Sequence, residues 1–145
     1  MSTYRLDALF APRSVALVGA SPRERSVGRM ILRNLRAAGF DGPIELVNPH
    51  YPEIDGLRAV KRIADLSGTP DVVIVASPPP TVPDVAAAAA AKGCRTAIII
   101  TSGLGHGEGS LAAAAWEAAR AHGMRLLGPN CLGILVPRAR LNASF

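Results

Sequence analysis

The chain has 145 residues, 49% hydrophobic but only 4% aromatic, with 16 basic residues against 11 acidic and a net charge of +5. That length suits one domain, residues 1–145, with its own core, and the scarcity of aromatics favours helices packed on a sheet over an aromatic-rich binding surface. No Lys/Arg run is interleaved with aromatics, which argues against nucleic-acid binding.

Met1–Arg13 carries charges and a proline but no apolar stretch, so no secretion signal is expected. Ser14–Gly19 reads as a first strand. Val27–Phe40 reads as a helix, with Met30, Ile31, Leu32, Leu35 and Ala38 on one side, Arg29, Arg33 and Arg36 on the other, and Gly39 closing it. Pro43–Pro49 is a second strand. Tyr51–Gly68 is mixed and suggests a short extra strand and a helical turn. Asp71–Ser77 is a third strand, apolar enough to be buried on both faces. The Ala-rich segment Thr81–Lys92 is a helix stopped by Gly93. Arg95–Thr101 is a fourth strand, and Gly109–His122 is a helix with Ser110 at its start and Gly123 at its end. Arg125–Pro129 is a fifth strand, and Asn130–Pro137 holds one more short strand. The alternation implies an α/β fold: a Rossmann-like, open, mainly parallel sheet with helices on both faces. The longest apolar runs are interrupted too early to cross a membrane.

In such a sheet, ligands sit beyond the carboxyl ends of the strands, near the switch in strand order. The segments there are Gly19–Gly28, Asn48–Tyr51, Ser77–Pro80, Thr101–Gly107 and Gly128–Leu132. Nearly all their residues are small, polar, Gly or Pro. Turn formation alone accounts for any one of them, but all five together point to a ligand.

The first turn specifies what kind. A dinucleotide turn wants G-x-G-x-x-G, so that a pyrophosphate can sit tight on a helix N-terminus. Here Gly19 is followed by Ala20 and Ser21, and the next glycine is Gly28. The longer loop carries Arg23, Arg25 and Ser26. Ser26 is a candidate N-cap, and two guanidiniums can fork onto phosphate oxygens, with Arg25 nearer the helix start. An NAD site also wants a carboxylate near the end of the second strand. This strand ends Val47-Asn48-Pro49-His50, with Glu45 inside it. A phosphate-bearing ligand other than NAD is therefore expected. The net charge does not decide the matter: only Lys61 and Lys92 are lysines, which fits either an arginine-rich genome bias or a preference for anions.

The segments VGAS, VNP, VASPPP, IIITSG and GPNCLG occur in an order and spacing that resemble the CoA-binding domain of NDP-forming acyl-CoA synthetases, the succinyl-CoA synthetase α-subunit superfamily. The resemblance runs from FAPRSVALVGAS (Phe10–Ser21) to GPNCLGI (Gly128–Ile134) and on to LNASF. It implies that coenzyme A is the cofactor. Gly19, Ala20 and Ser21, with Arg25, Ser26, Val27 and Gly28, would take its phosphates. Asn48, Pro49, His50 and Tyr51 would contact the nucleotide end; the family often carries a lysine there, where this chain has His50-Tyr51. Ser77, Pro78 and Pro79 would flank the cofactor as it crosses the sheet edge. Ile100, Thr101 and Ser102 would lie beside the pantetheine, and Asn130 towards the thiol. The family's reaction converts acid, CoA and NTP to acyl-CoA, NDP and phosphate through an acyl phosphate and a phosphohistidine in a further domain.

No catalytic residue is expected in this chain. His50, His106 and His122 sit in no matching motif: His106 lies in a glycine-rich loop, and His122 suits a helix C-terminus. Cys131 reads either as a nucleophile or as a buried thiol beside the ligand, and no basic partner is identifiable. Cys94 and Cys131 are far apart, with no CxxC and no histidine at metal-ligand spacing, so no metal is expected and the thiols read as reduced, in a cytoplasmic protein. The resemblance implies an excised domain or a truncated product, whose partners are CoA or acyl-CoA and further domains or subunits of the synthetase. A CoA-sensing module of a lysine acetyltransferase fusion and an NAD(H)-binding redox sensor are the alternatives.

Overall fold

Seven strands form one sheet in a computed structural model that describes residues 6–145. The order of elements is α1 (Asp7–Phe10), β1 (Val15–Val18), α2 (Val27–Ala37), β2 (Ile44–Val47), β3 (Glu53–Ile54), β4 (Leu57–Val60), β5 (Val72–Val75), α3 (Val82–Ala91), β6 (Thr96–Ile99), α4 (Leu111–Arg120), β7 (Arg125–Leu127), β8 (Gly133–Val136) and β9 (Leu141–Ser144). The sheet runs β3-β4-β2-β1-β5-β6-β7, and every pairing is parallel except β3 with β4. The chain leaves β1 for β2 on one side and reaches β5 on the other. The switch point therefore lies between β1 and β5, as a Rossmann-like fold requires.

Central strands bury both faces because successive side chains alternate. Ala16 and Val18, Val73 and Val75, and Ala97 and Ile99 face α3 and α4. Val15 and Leu17, Val72 and Ile74, and Ile98 face α2 and the β8–β9 hairpin. The alanines of α3 let it lie close to the sheet, with Ala86, Ala89 and Ala90 buried. Ser26 caps α2 by accepting from the Arg29 amide, and Ser110 caps α4 by accepting from the Ala113 amide.

The elements depart from the sequence reading in several places, among them the unexpected short helix α1 and a fifth strand that stops at Leu127, before Gly128-Pro129. The helix expected to reach Phe40 ends at Ala37, because Gly39 takes a left-handed turn and closes it earlier. Met30 is exposed, whereas Arg29 is drawn inward by the loops around it. The mixed segment after Tyr51 is a β3–β4 hairpin around Asp55-Gly56, a two-residue turn with both φ values positive, followed by a 3-10 turn at Ile63–Asp65. The last expected strand is a hairpin, in which Gly133–Val136 pairs antiparallel with Leu141–Ser144. The leader reading over Met1–Arg13 falls partly on residues 1–5, outside the described residues. No described helix is long and apolar enough to cross a membrane.

Gly28 explains why a glycine stands one residue into α2. A Cβ there would strike the Gly19 carbonyl, so the helix start and the end of β1 approach closely only without a side chain. Gly28→Ala should cost about 1–3 kcal/mol as overpacking against backbone. Gly68→Ala, where a Cβ meets nothing within 4 Å, should stay within about 0.5 kcal/mol of wild type. Denaturant midpoints compare the two, and equal effects would contradict the close approach.

Candidate functional site

The loops that follow the strands enclose one long cleft of about 1360 Å³ across the carboxyl edge of the sheet. It crosses the switch point, where the β1 and β5 loops part and leave the strand ends uncovered.

The first wall is the β1–α2 loop. Ser21 is buried there, and its Oγ accepts from the Arg23 amide at 3.2 Å and from Arg23 Nε at 3.4 Å. The hydroxyl thereby holds Arg23 on the cleft wall, where Val27 at the start of α2 also stands. The loop is pinned from outside as well: Arg29 Nη1 donates to the Pro22 carbonyl at 2.6 Å, while Nε and Nη2 donate to the two Asp55 carboxylate oxygens at 3.3 and 3.1 Å.

The second wall follows β2. Asn48 is 8% exposed, and its Nδ2 donates to the Ala20 carbonyl at 2.6 Å. Its Oδ1 accepts from the amides of His50 at 2.7 Å and Tyr51 at 3.2 Å. One side chain thus ties two loops together and shapes the turn into Pro49, His50 and Tyr51. Glu45 lies within β2, where its carboxylate accepts from Ser67 Oγ at 2.9 Å.

The third and fourth walls share a similar tie. Thr101 Oγ1 donates to the Ser77 carbonyl at 2.7 Å, and the Asn130 amide donates to the Thr101 carbonyl at 3.1 Å. Thr81 Oγ1 reaches both Ser77 Oγ, at 2.8 Å, and the Pro78 carbonyl, at 2.7 Å. Asn130 sits in the left-handed region, φ 53°, which its short polar side chain tolerates.

Gly19, Ser21, Val27, Asn48, Pro49, His50 and Tyr51 all line this cleft. So do Ser77, Pro78, Pro79, Ile100, Thr101, Ser102 and Asn130. Four expected residues do not. Ala20 is buried and contributes its carbonyl to Asn48. Ser26 is occupied as the helix cap, and Gly28 packs against Gly19. Arg25 is exposed and lines no part of the cleft, whose wall carries Arg23 instead. Proximity to the helix start favours Arg25 along the chain; the hydrogen bonds to Ser21 bring Arg23 to the wall. Lys61, Arg62 and Ile63, arriving from β4, also line the cleft, as do Asp84 and Val85 of α3 and, from the distant end of the sequence, Phe145. The place of Lys61–Ile63 follows from β4 lying beside β2, a non-local pairing with no local signal in the sequence.

No thiol or metal chemistry is built into the cleft. Burial pushes the Cys94 thiol up to about 11, keeping it protonated. Cys131 donates weakly to the Ile99 carbonyl at 3.4 Å and lies off the cleft lining. Among the described residues, no group of three or more His, Cys, Asp or Glu could hold a metal ion. His106 is exposed and also off the lining.

Residues 13–137 match the family described as CoA binding domain. Over 98% of its length the chain is 38% identical to an ADP-forming acetate–CoA ligase of Methanocaldococcus jannaschii, of which it covers 20%. Over 91% of its length it is 37% identical to a trans-feruloyl-CoA synthase of an unknown prokaryotic organism, of which it covers 19%. The fold superposes, with a TM-score of 0.90 and 37% identity, on the dinucleotide forming acetyl-coenzyme A synthetase 1 of Ca. Korarchaeum cryptofilum in complex with phosphate and ADP. That match covers 96% of this chain and 30% of the other. The chain spans about a fifth to a third of the length of the curated relatives it matches.

Asn48→Ala should lower stability by about 1–3 kcal/mol, because it strips a buried carbonyl and two loop amides of their partner. It should also speed amide exchange at His50 and Tyr51. An unchanged denaturant midpoint with unchanged exchange would show that the clamp is not what holds these loops.

Proposed function

The chain belongs to the CoA-binding-domain family, and from that premise we propose that its cleft binds coenzyme A for an NDP-forming acyl-CoA synthetase. The observation that carries this reading is the pairing of the first two walls. Arg23 is held on the cleft beside the start of α2, while β2 ends on Asn48 rather than on a carboxylate. Phosphate is favoured at the first wall, by the guanidinium and by the positive end of the helix dipole. At the second, the carboxylate that would take the ribose hydroxyls of NAD is absent.

Coenzyme A then lies across the sheet edge. Its pyrophosphate meets Arg23 and the start of α2. Its nucleotide end meets Asn48–Tyr51, the pantetheine passes Ser77–Pro79 and Ile100–Ser102, and the thiol ends towards Asn130. The work of these residues is to bind and orient. Acid, CoA and NTP become acyl-CoA, NDP and phosphate only with groups that this chain does not supply, a phosphorylated histidine above all. Residues 1–145 serve as one domain of that larger protein. The relatives' names span acetate and a ferulate-type acid, so the acyl group is selected outside this domain. The two free cysteines suit the reducing cytoplasm. The cations of the cleft are set for a small anionic ligand rather than for nucleic acid.

Calorimetry should find CoA binding at least about tenfold tighter than NAD, a gap of roughly 1.4 kcal/mol. Equal affinities, or tighter NAD, would overturn the reading. Arg23→Ala should weaken CoA by about tenfold, the low end expected for an exposed charge-assisted contact. Arg25→Ala should change it less than about twofold. The opposite ranking would move the phosphate contact off the cleft wall.

A further inference from the structure

Two cations on the cleft lining, Arg23 and Lys61, have no carboxylate partner among the described residues. Arg23, whose guanidinium meets only the Ser21 hydroxyl, has no carboxylate. Lys61 has no hydrogen bond and no ion pair with the described residues. The neighbouring charges are committed. Arg62 pairs with Asp65 at 3.2 Å, Arg29 with Asp55 at 3.1 Å, and Lys92 donates to the Leu66 carbonyl at 3.0 Å. Among the described residues, Asp84 of α3 is the acidic side chain on the cleft lining, and it has no ion pair to either cation.

The sheet sets where these cations stand. Val47 of β2 is in register with Val60 of β4, and the Asn48 amide donates to the Val60 carbonyl at 2.9 Å. Asn48 and Lys61 are therefore the first residues off two adjacent strands, and Lys61 is delivered beside the wall that ends in His50 and Tyr51. The loop that carries Arg23 leaves β1, two strands away from β4. Two strand spacings set the carboxyl ends of β1 and β4 on the order of 10 Å apart, so the cations are delivered from separate points of the sheet edge. Buried Ile63 and partly buried Val85 line the Lys61 end with apolar surface suited to a purine ring.

A ligand with one anionic group satisfies one of these cations. A nucleotide with a 5′-pyrophosphate and a 3′-phosphate, on opposite sides of one ribose, satisfies both. We propose that Lys61 recognises the ribose 3′-phosphate of coenzyme A, making it the residue by which this chain separates CoA from 3′-dephospho-CoA. The inference rests on the CoA reading and adds to it a division of labour: Arg23 for the pyrophosphate, Lys61 for the phosphomonoester.

Calorimetry on the whole chain with CoA and 3′-dephospho-CoA tests it. Wild type should prefer CoA by about tenfold, a charge-assisted contact at an exposed site. Lys61→Ala should abolish the preference by weakening CoA alone, with an unchanged melting temperature because Lys61 is exposed. Lys61→Arg should retain most of it. Arg23→Ala should weaken both ligands by the same factor. A wild type that binds the two ligands equally, or a Lys61→Ala chain that loses both equally, overturns the assignment while leaving CoA binding intact. Failure of wild type to bind either ligand overturns the CoA reading, and this assignment with it.

Discussion

Asn48 carries the constraint on which the cleft depends. Its amide joins two loops, giving a donor to the Ala20 carbonyl and an acceptor to the amides of His50 and Tyr51. A buried Asn with both ends used is a fixed point, because breaking either end strands a polar group away from water. The remaining walls are joined in the same way. Thr101 holds the β5 loop through the Ser77 carbonyl, and Asn130 holds the β6 loop through the Thr101 carbonyl. Such a cleft is formed before a ligand arrives, so less of the binding free energy goes into ordering loops.

This scaffolding also explains how the charges are used. The β1–α2 loop and α2 hold several arginines, but Arg29 of α2 is consumed by Pro22 and Asp55, and Arg36 of α2 donates to the Asp55 carbonyl at 2.8 Å. The Asp55-Gly56 turn therefore braces the first loop from behind and leaves Arg23 on the cleft side. Most cations fixed by carboxylates are structural, and those left over on the cleft are available to an anion. The same separation holds for the thiols. Cys94 is kept protonated by burial, which withholds its nucleophilic form.

Much of this was legible along the chain. The alternation of β-branched runs with Ala-rich segments marks the parallel strands, because doubly covered strands must be apolar on both faces. Ser26, Ser110, Gly39, Gly93 and Gly123 mark helix ends by local capping chemistry. What could not be read depends on pairing between distant segments. Lys61 becomes a cleft residue only once β4 is known to lie beside β2, and β9 becomes a strand only by pairing with β8. Arg23 outranks Arg25 on the wall because of a hydroxyl two residues away, which proximity to the helix start does not capture. The β3–β4 hairpin did carry a local signal, the dipeptide Asp55-Gly56 between two apolar positions, Ile54 and Leu57.

The central claim is that coenzyme A occupies the carboxyl edge of the sheet across the β1–β5 switch point. Backbone amide shifts of the isotope-labelled chain, followed through a CoA titration, test it most directly. The account predicts perturbations at Gly19–Arg23, Asn48, His50–Tyr51, Lys61, Ser77, Ile100–Ser102 and Asn130. The groove at the opposite edge, lined by Arg13, Asp41, Arg138 and Arg140, should stay unmoved. Perturbations concentrated in that groove, with Gly19 and Asn48 silent, would contradict it.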